Sequence, residues 1–252
     1  MRSSIPALWA LGVVLGSGLA GRSSAAELSL PALTRQADRI YAGTVRETRS
    51  HRDPGSGLVF TDVRFGDLEV LKLGQGAGGR GPGTAVLRVA GGRDIDGTFV
   101  QVSGVPRFLK GERYLVFEKQ GAGTFCPLVG WEDGCFRLAR DGARGRVVLD
   151  ARDTPVVALR GGRIERPRPP RSAETQNLFS AAVPGAQKLR RAGGGPLTAD
   201  PASRSSGGPP EITRYTGAAG RRMATAARPA PPRGAMPAAA FLAAVRRAVR
   251  GH

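Results

Sequence analysis

Imidazoles and thiols, the side chains most often used for proton transfer and metal binding near neutral pH, are scarce in this 252-residue chain. The only histidines are His51 and the last residue, His252, so multi-His metal centres and imidazole relays lack raw material. The tightest groupings of proton-transfer types are His51-Arg52-Asp53 and Glu132-Asp133. Paired-carboxylate chemistry needs two acids held apart across a cleft. Adjacent acids in a turn do not supply that, and both groupings read as solvated turns. Gly74-Gln-Gly-Ala-Gly-Gly79 matches the spelling of a dinucleotide-binding loop after a strand. The fingerprint requires a helix next, and Arg80-Gly-Pro-Gly83 cannot open one, so the stretch reads as an inter-strand loop. No catalytic residue, metal ligand or cofactor-binding residue is assigned, no cofactor is expected, and the chain does not read as an enzyme.

The front of the chain carries an address. Arg2 supplies a positive start, Ile5 to Ala20 an apolar stretch, and Ser24-Ala25-Ala26 the small side chains of a cleavage site. This is the layout of a secretory signal peptide over residues 1–26, cut after Ala26 so that the mature chain begins at Glu27. An uncleaved anchor is the other reading. Export, to the periplasm or beyond, sets how the only two cysteines are read. In an oxidising compartment Cys126 and Cys135, nine apart, point to a disulfide, with two buried thiols as the alternative. Between them Glu132-Asp133-Gly134 signals a turn, so the bridge would tie a hairpin. So short a loop is worth on the order of 2–3 kcal/mol of unfolded-state entropy.

These residues need a frame. Ser29, followed by Pro31, suits the start of a short helix reaching Asp38. Strand signals follow: Arg39–Val45, Leu58–Leu73, Thr84–Ala90, Thr98–Val102, Glu112–Lys119, Phe125–Val129, Cys135–Ala139, Arg146–Leu149 and Pro155–Leu159. In the second, Val59, Thr61, Val63 and Phe65 alternate with polar residues, and the apolar phase then moves to Leu68 and Val70. A phase change at Gly66-Asp67 predicts a β-bulge there, with Phe65 and Leu68 both turned inward. Many short strands separated by glycine-rich turns predict an all-β domain over residues 27–160.

Charge divides the chain at the same place. Residues 27–160 carry 20 Lys and Arg against 16 Asp and Glu, whereas residues 161–252 carry 16 against 4. Residues 161–236 are rich in Arg, Pro, Gly, Ala and Ser and poor in large apolar side chains, which predicts a disordered tether. Residues 237–250 instead predict an amphipathic helix, with Phe241, Leu242, Val245 and Val249 on one face and Arg246, Arg247 and Arg250 on another. So short a helix needs a support, either the chain's own body, another protein or an anionic membrane surface. The basic excess also fits a genome-wide compositional bias. Aromatics for base stacking are nearly absent from the tail, so specific nucleic-acid recognition is not expected.

The order of signals in residues 28–140 resembles bacterial secreted netrin/TIMP-like domains. The residues that carry it are Ala37-Asp38-Arg-Ile-Tyr-Ala-Gly43-Thr-Val45, Leu68-Glu-Val-Leu-Lys72, Val86–Val89, Phe108-Leu-Lys-Gly111-Glu112-Arg-Tyr114-Leu-Val-Phe117 and the segment from Val129-Gly130 to Gly134-Cys-Phe136-Arg. The resemblance implies a small OB-like Greek-key barrel. Animal relatives inhibit metalloproteases through an N-terminal Cys; here the mature N-terminus is Glu27-Leu28-Ser29, so no functional residue is carried over. The reading is an exported, non-catalytic binding module whose partner is another exported protein or a cell-surface polymer. Alternatives are a secreted enzyme with an unrecognised carboxylate or Arg site, and a structural protein of the envelope.

Overall fold

A computed structural model describes residues 29–74, 83–119, 121, 125–142, 144–167, 186–189, 211–219, 221 and 230–251. The signal-peptide residues, Ala26 and Glu27 included, and Gln75–Gly79 of the glycine-rich loop lie outside them. Helix α1 (Leu30–Gln36) opens as its sequence directs: the Ser29 hydroxyl accepts a hydrogen bond from the Ala32 amide at 3.3 Å, and Pro31 sits in the first turn. Strands β1 (Arg39–Arg52) and β2 (Val59–Lys72) then form a long antiparallel ribbon. With β3 (Ala85–Ala90), β6 (Arg113–Glu118), β7 (Cys135–Asp141) and β8 (Gly145–Asp150) they build a six-stranded antiparallel sheet in the order β3-β2-β1-β6-β7-β8. A smaller sheet has the order β11-β12-β5-β4, from Ala186–Leu189, Ile212–Tyr215, Phe99–Val102 and Gly92–Arg93. Strands β9 (Ala158–Arg160) and β10 (Arg163–Glu165) make a hairpin. The fold is thus mostly β with short helices. Closure into a barrel is not shown, since β3 and β8 end the large sheet's order.

Both faces of the large sheet are apolar, and strand alternation decides which residue goes where. Ile40, Ala42, Leu115, Phe117, Phe136 and Leu138 point to one side, where α1 and α2 (Ala238–Arg250) cover them. Tyr41, Tyr114, Val116 and Cys135 point to the other, against Val63, Phe65, Leu87 and Phe108. Phe241 of α2 is fully buried with its ring 5.0 Å from that of Phe136. The approach to α2 is also fixed by backbone. Val148 N–H donates to the Met236 carbonyl at 3.0 Å, and Met236 N–H to that of Val156 at 2.7 Å. The apolar face of residues 237–250 therefore packs on the chain's own core.

The bulge forms where the phase changes. Ala42 pairs with Glu69 and Thr44 with Gly66, leaving Asp67 and Leu68 opposite Gly43, and Asp67 adopts φ +50°. Phe65 is buried and Leu68 half-buried against the same cluster. A Cβ on Gly43 would lie 2.6 Å from Leu68 Cδ2 and would require that side chain to move.

Two expectations are corrected. Strand β1 runs on to Arg52, because beyond Val45 it pairs as a solvent-exposed ribbon that needs no apolar alternation. Phe125–Val129 is not a strand; only Leu128 forms a bridge, to Glu118 beside the end of β6. Within 161–236, the described residues include short segments held to the body. Strand β10 pairs with β9, Ile212–Tyr215 adds to β5, and Ala235 and Met236 are hydrogen-bonded to the body. They are held by backbone ladders together with single apolar contacts, Ile164 and Met236 on the main core and Ile212 beside Phe125, which composition does not register. The rest of that stretch lies outside the described residues.

Candidate functional site

The disulfide expected between Cys126 and Cys135 is absent from the structure. That expectation rested on an oxidising compartment and the nine-residue spacing, with the segment between the cysteines drawn as a hairpin. Instead Leu128 bridges Glu118 and Cys135 pairs with Val116, so both flanks of the turn lie along one edge of β6. The intervening Trp131–Gly134 forms a short 3-10 turn that protrudes from that edge. Both thiols are buried in the same apolar cluster. Burial, and then the neighbouring Cys135, push the Cys126 thiol far above the ordinary range.

The two groupings of proton-transfer residues do not assemble catalytic pairs. His51 faces Asp62 of β2 at 3.7 Å, Arg52 bonds Asp94 in the β4–β5 turn, and Asp53 accepts from the amide and hydroxyl of Ser56. Each member serves a different contact. Glu132 is held by both nitrogens of the Arg152 fork. Asp133, half-buried beside it, has its carboxyl pushed up to about 6, first by burial and then by Glu132. Asp150 nearby accepts from the amides of Arg152 and Thr154 at 2.9 Å and from Arg166 Nε at 2.8 Å. Arg137, almost fully buried, donates to Asp153 at 2.8 Å and lies 3.5 Å from Glu112. Glu132, Asp150, Asp153 and Glu112 are thus engaged in holding loops and strands together. Among the described residues no group of three His, Cys, Asp or Glu is placed to hold a metal ion.

A different region is left unfilled. Between the outer part of the β1–β2 ribbon and the β4–β5 hairpin lies a hollow of about 650 Å³. Val63 and Val89 of the large sheet, Phe99 and Val102 of β5, and Phe108 of the following loop give it an apolar floor. Thr48, Ser50 and Thr61 form one wall. The Ser50 and Thr61 hydroxyls are 2.9 Å apart, and Thr61 donates to the Gly91 carbonyl at 2.6 Å. A Cβ on Gly92, whose φ is +128°, would lie 2.0 Å from Thr61 Oγ1, so only glycine lets the hairpin approach this closely. A second hollow of about 330 Å³ shares Gln101, Val102, Val105, Pro106 and Arg107 with the first. The two make one trough that runs on to Glu132 and Arg152.

The rim of the larger hollow is cationic. Arg49, Arg93, Arg107 and Lys110 line it against a single acid, Asp94. That acid is buried and neutralised by Arg52. Arg107 lies over the Phe99 ring at 5.1 Å. Arg49, Arg93 and Lys110 are exposed and make no ion pair among the described residues. On the lip stands Ile95, 91% exposed. Sequence reasoning missed this trough because its parts come from three separate stretches. The one local hint was Asp94-Ile95-Asp96-Gly97, a large apolar residue at the apex of an otherwise polar turn.

Comparison with protein-family models, with curated proteins and with solved structures finds no match for this chain.

Proposed function

We propose that the chain is an exported, non-catalytic binding module, and that the trough between the β1–β2 ribbon and the β4–β5 hairpin receives an anionic partner, another exported protein or a cell-surface polymer. The observation that carries this reading is the unanswered positive charge of Arg49, Arg93 and Lys110 around an apolar floor. Elsewhere Arg137, Arg152 and Arg166 are each met by a carboxylate. Magnitudes favour a mixed site. Each exposed ion pair formed at the rim contributes only about 0.2–1 kcal/mol, and salt screens it. Covering one large apolar side chain adds about 1.5–3 kcal/mol. The charges therefore steer the partner and the floor holds it. The volume falls within the range of ligand-binding clefts, roughly 300–1,000 Å³.

The netrin-like OB reading belongs to the same proposal. Its support is the bulged β2 and the antiparallel β1-β2-β3 meander, as expected of a strongly coiled small β-domain. Export rests on the sequence of residues 1–27, and an intact mass beginning at Glu27 in the periplasmic or secreted fraction tests it.

The site is tested by salt-gradient retention of the full chain on a dextran sulfate column. Arg49→Glu, Arg93→Glu and Lys110→Glu combined should elute at markedly lower salt than a control triple, Arg140→Glu, Arg163→Glu and Arg233→Glu, which reverses equally exposed charges elsewhere. Equal shifts for the two triples would place the affinity in overall charge and overturn the reading.

A further inference from the structure

The lip of the trough says more about the partner than its charge does. Ile95 is the most exposed large hydrophobic residue described, at 91% against 68% for Leu73 and 42% for Val70. It does not wave on a loose loop. Asp94 N–H donates to the Thr98 carbonyl at 2.8 Å, and Gly97 N–H to the Asp94 carbonyl at 3.1 Å. The Ile95 amide donates to Asp94 Oδ1, and the Thr98 amide to Asp96 Oδ1, each at 2.8 Å. Arg52 anchors Asp94 from β1. A turn fastened at five points holds an isoleucine out into water, next to Arg93 and across the hollow from Arg49.

A fixed, exposed aliphatic side chain beside unpaired cations is the pattern of a pre-organised protein contact, where ordering entropy has been met before binding. It offers nothing to a uniformly anionic polymer, which has no apolar surface to lay on Ile95 or on the Phe99 and Phe108 floor. The hollow's continuation past Gln101 and Pro106 favours a ligand that is long and narrow. Resting on the binding-module reading, we infer that the trough takes an extended acidic peptide segment of a partner protein, with an apolar side chain of that segment packed against Ile95 and its carboxylates on Arg49 and Arg93.

Fluorescence anisotropy of three labelled probes against the full chain tests this: an octapeptide alternating Asp and Leu, an octapeptide of Asp alone, and dextran sulfate. The mixed peptide should bind about ten-fold tighter than poly-Asp, Ile95→Asp should weaken it by about ten-fold, and Ile95→Val should restore most of the loss. Arg49→Glu/Arg93→Glu should weaken all three probes. If the double charge reversal weakens every probe while Ile95→Asp changes none, the trough is an anion site for polymers and the peptide inference falls. If neither variant changes any probe, the binding-module reading falls with it. Circular dichroism of each variant separates loss of binding from loss of fold.

Discussion

The two apolar faces of the large sheet are built from alternate residues of the same strands, yet they end differently. One is sealed: α1 and α2 lie over Ile40, Leu115, Phe117 and Phe136, and Arg246 at the margin is paired with Glu69. The other is sealed only in part. Tyr41, Tyr114 and Val116 are covered by the coiled β2–β3 strands and by Phe108, but the covering stops short and leaves the trough with Arg49, Arg93 and Lys110 unanswered. The same contrast holds for charge alone, since Arg137, Arg152 and Arg166 each have a carboxylate within hydrogen-bonding reach. In a chain with 38 basic residues, abundance of arginine therefore says little. An unpaired arginine is informative where, as at the trough, it borders an apolar floor.

If the sealed face is structural and the open one functional, substitutions should separate into two sets. The largest effect is expected at Phe241→Ala, which opens a cavity against Phe136 and should cost about 3–5 kcal/mol in urea denaturation while leaving probe affinity unchanged in the folded fraction. Arg137→Ala comes next. Removing a buried guanidinium strands Glu112 and Asp153 and should cost about 3 kcal/mol.

Asp133→Asn should work in the opposite direction, by a smaller amount. The Asp133 carboxyl titrates at about 6 in the folded chain, against 3.8 ordinarily. The folded state holds that proton more tightly than the unfolded state. Stability therefore falls as pH rises from about 4 to about 6, and the penalty is complete above that window. Fully buried, such a displacement is worth about 3 kcal/mol, and the side chain's partial exposure reduces it to about 1 kcal/mol. The Asn variant should be more stable by that amount at pH 8 and indistinguishable from the parent below pH 4. The smallest stability change is expected on the open side, where Arg49→Ala and Arg93→Ala should each stay within about 0.5 kcal/mol yet lower probe affinity. A large loss of stability there would erase the comparison.

Much of the frame is legible in the sequence, and what is legible has a local cause. The Ser29 cap, the phase change at Gly66-Asp67 and the apolar stripe of Phe241, Leu242 and Val245 are each decided by neighbours within a few residues. What is not legible depends on tertiary partners. Phe125–Val129 is apolar because Cys126, Leu128 and Val129 are buried in the core and Phe125 packs beside Trp131, and periodicity cannot distinguish that from a strand. Arg46–Arg52 pairs as an exposed ribbon with no apolar alternation to announce it. Ile212–Tyr215 gains a place only because β5 leaves an edge open. The trough joins Arg49, Ile95 and Lys110, which no spacing rule connects. Glu132 and Asp133, by contrast, were read as turn residues and are found in a turn, with Glu132 held by Arg152.

The central claim, that the open trough rather than the helix-covered face or the basic tail is where a partner docks, is tested most directly by hydrogen exchange with mass spectrometry of the full chain, with and without the alternating Asp-Leu octapeptide. The account predicts added protection confined to peptides covering residues 48–50, 92–95 and 99–110, and its disappearance in Arg49→Glu/Arg93→Glu. Protection centred on residues 237–251, or on 211–221 with the trough unchanged, would contradict it.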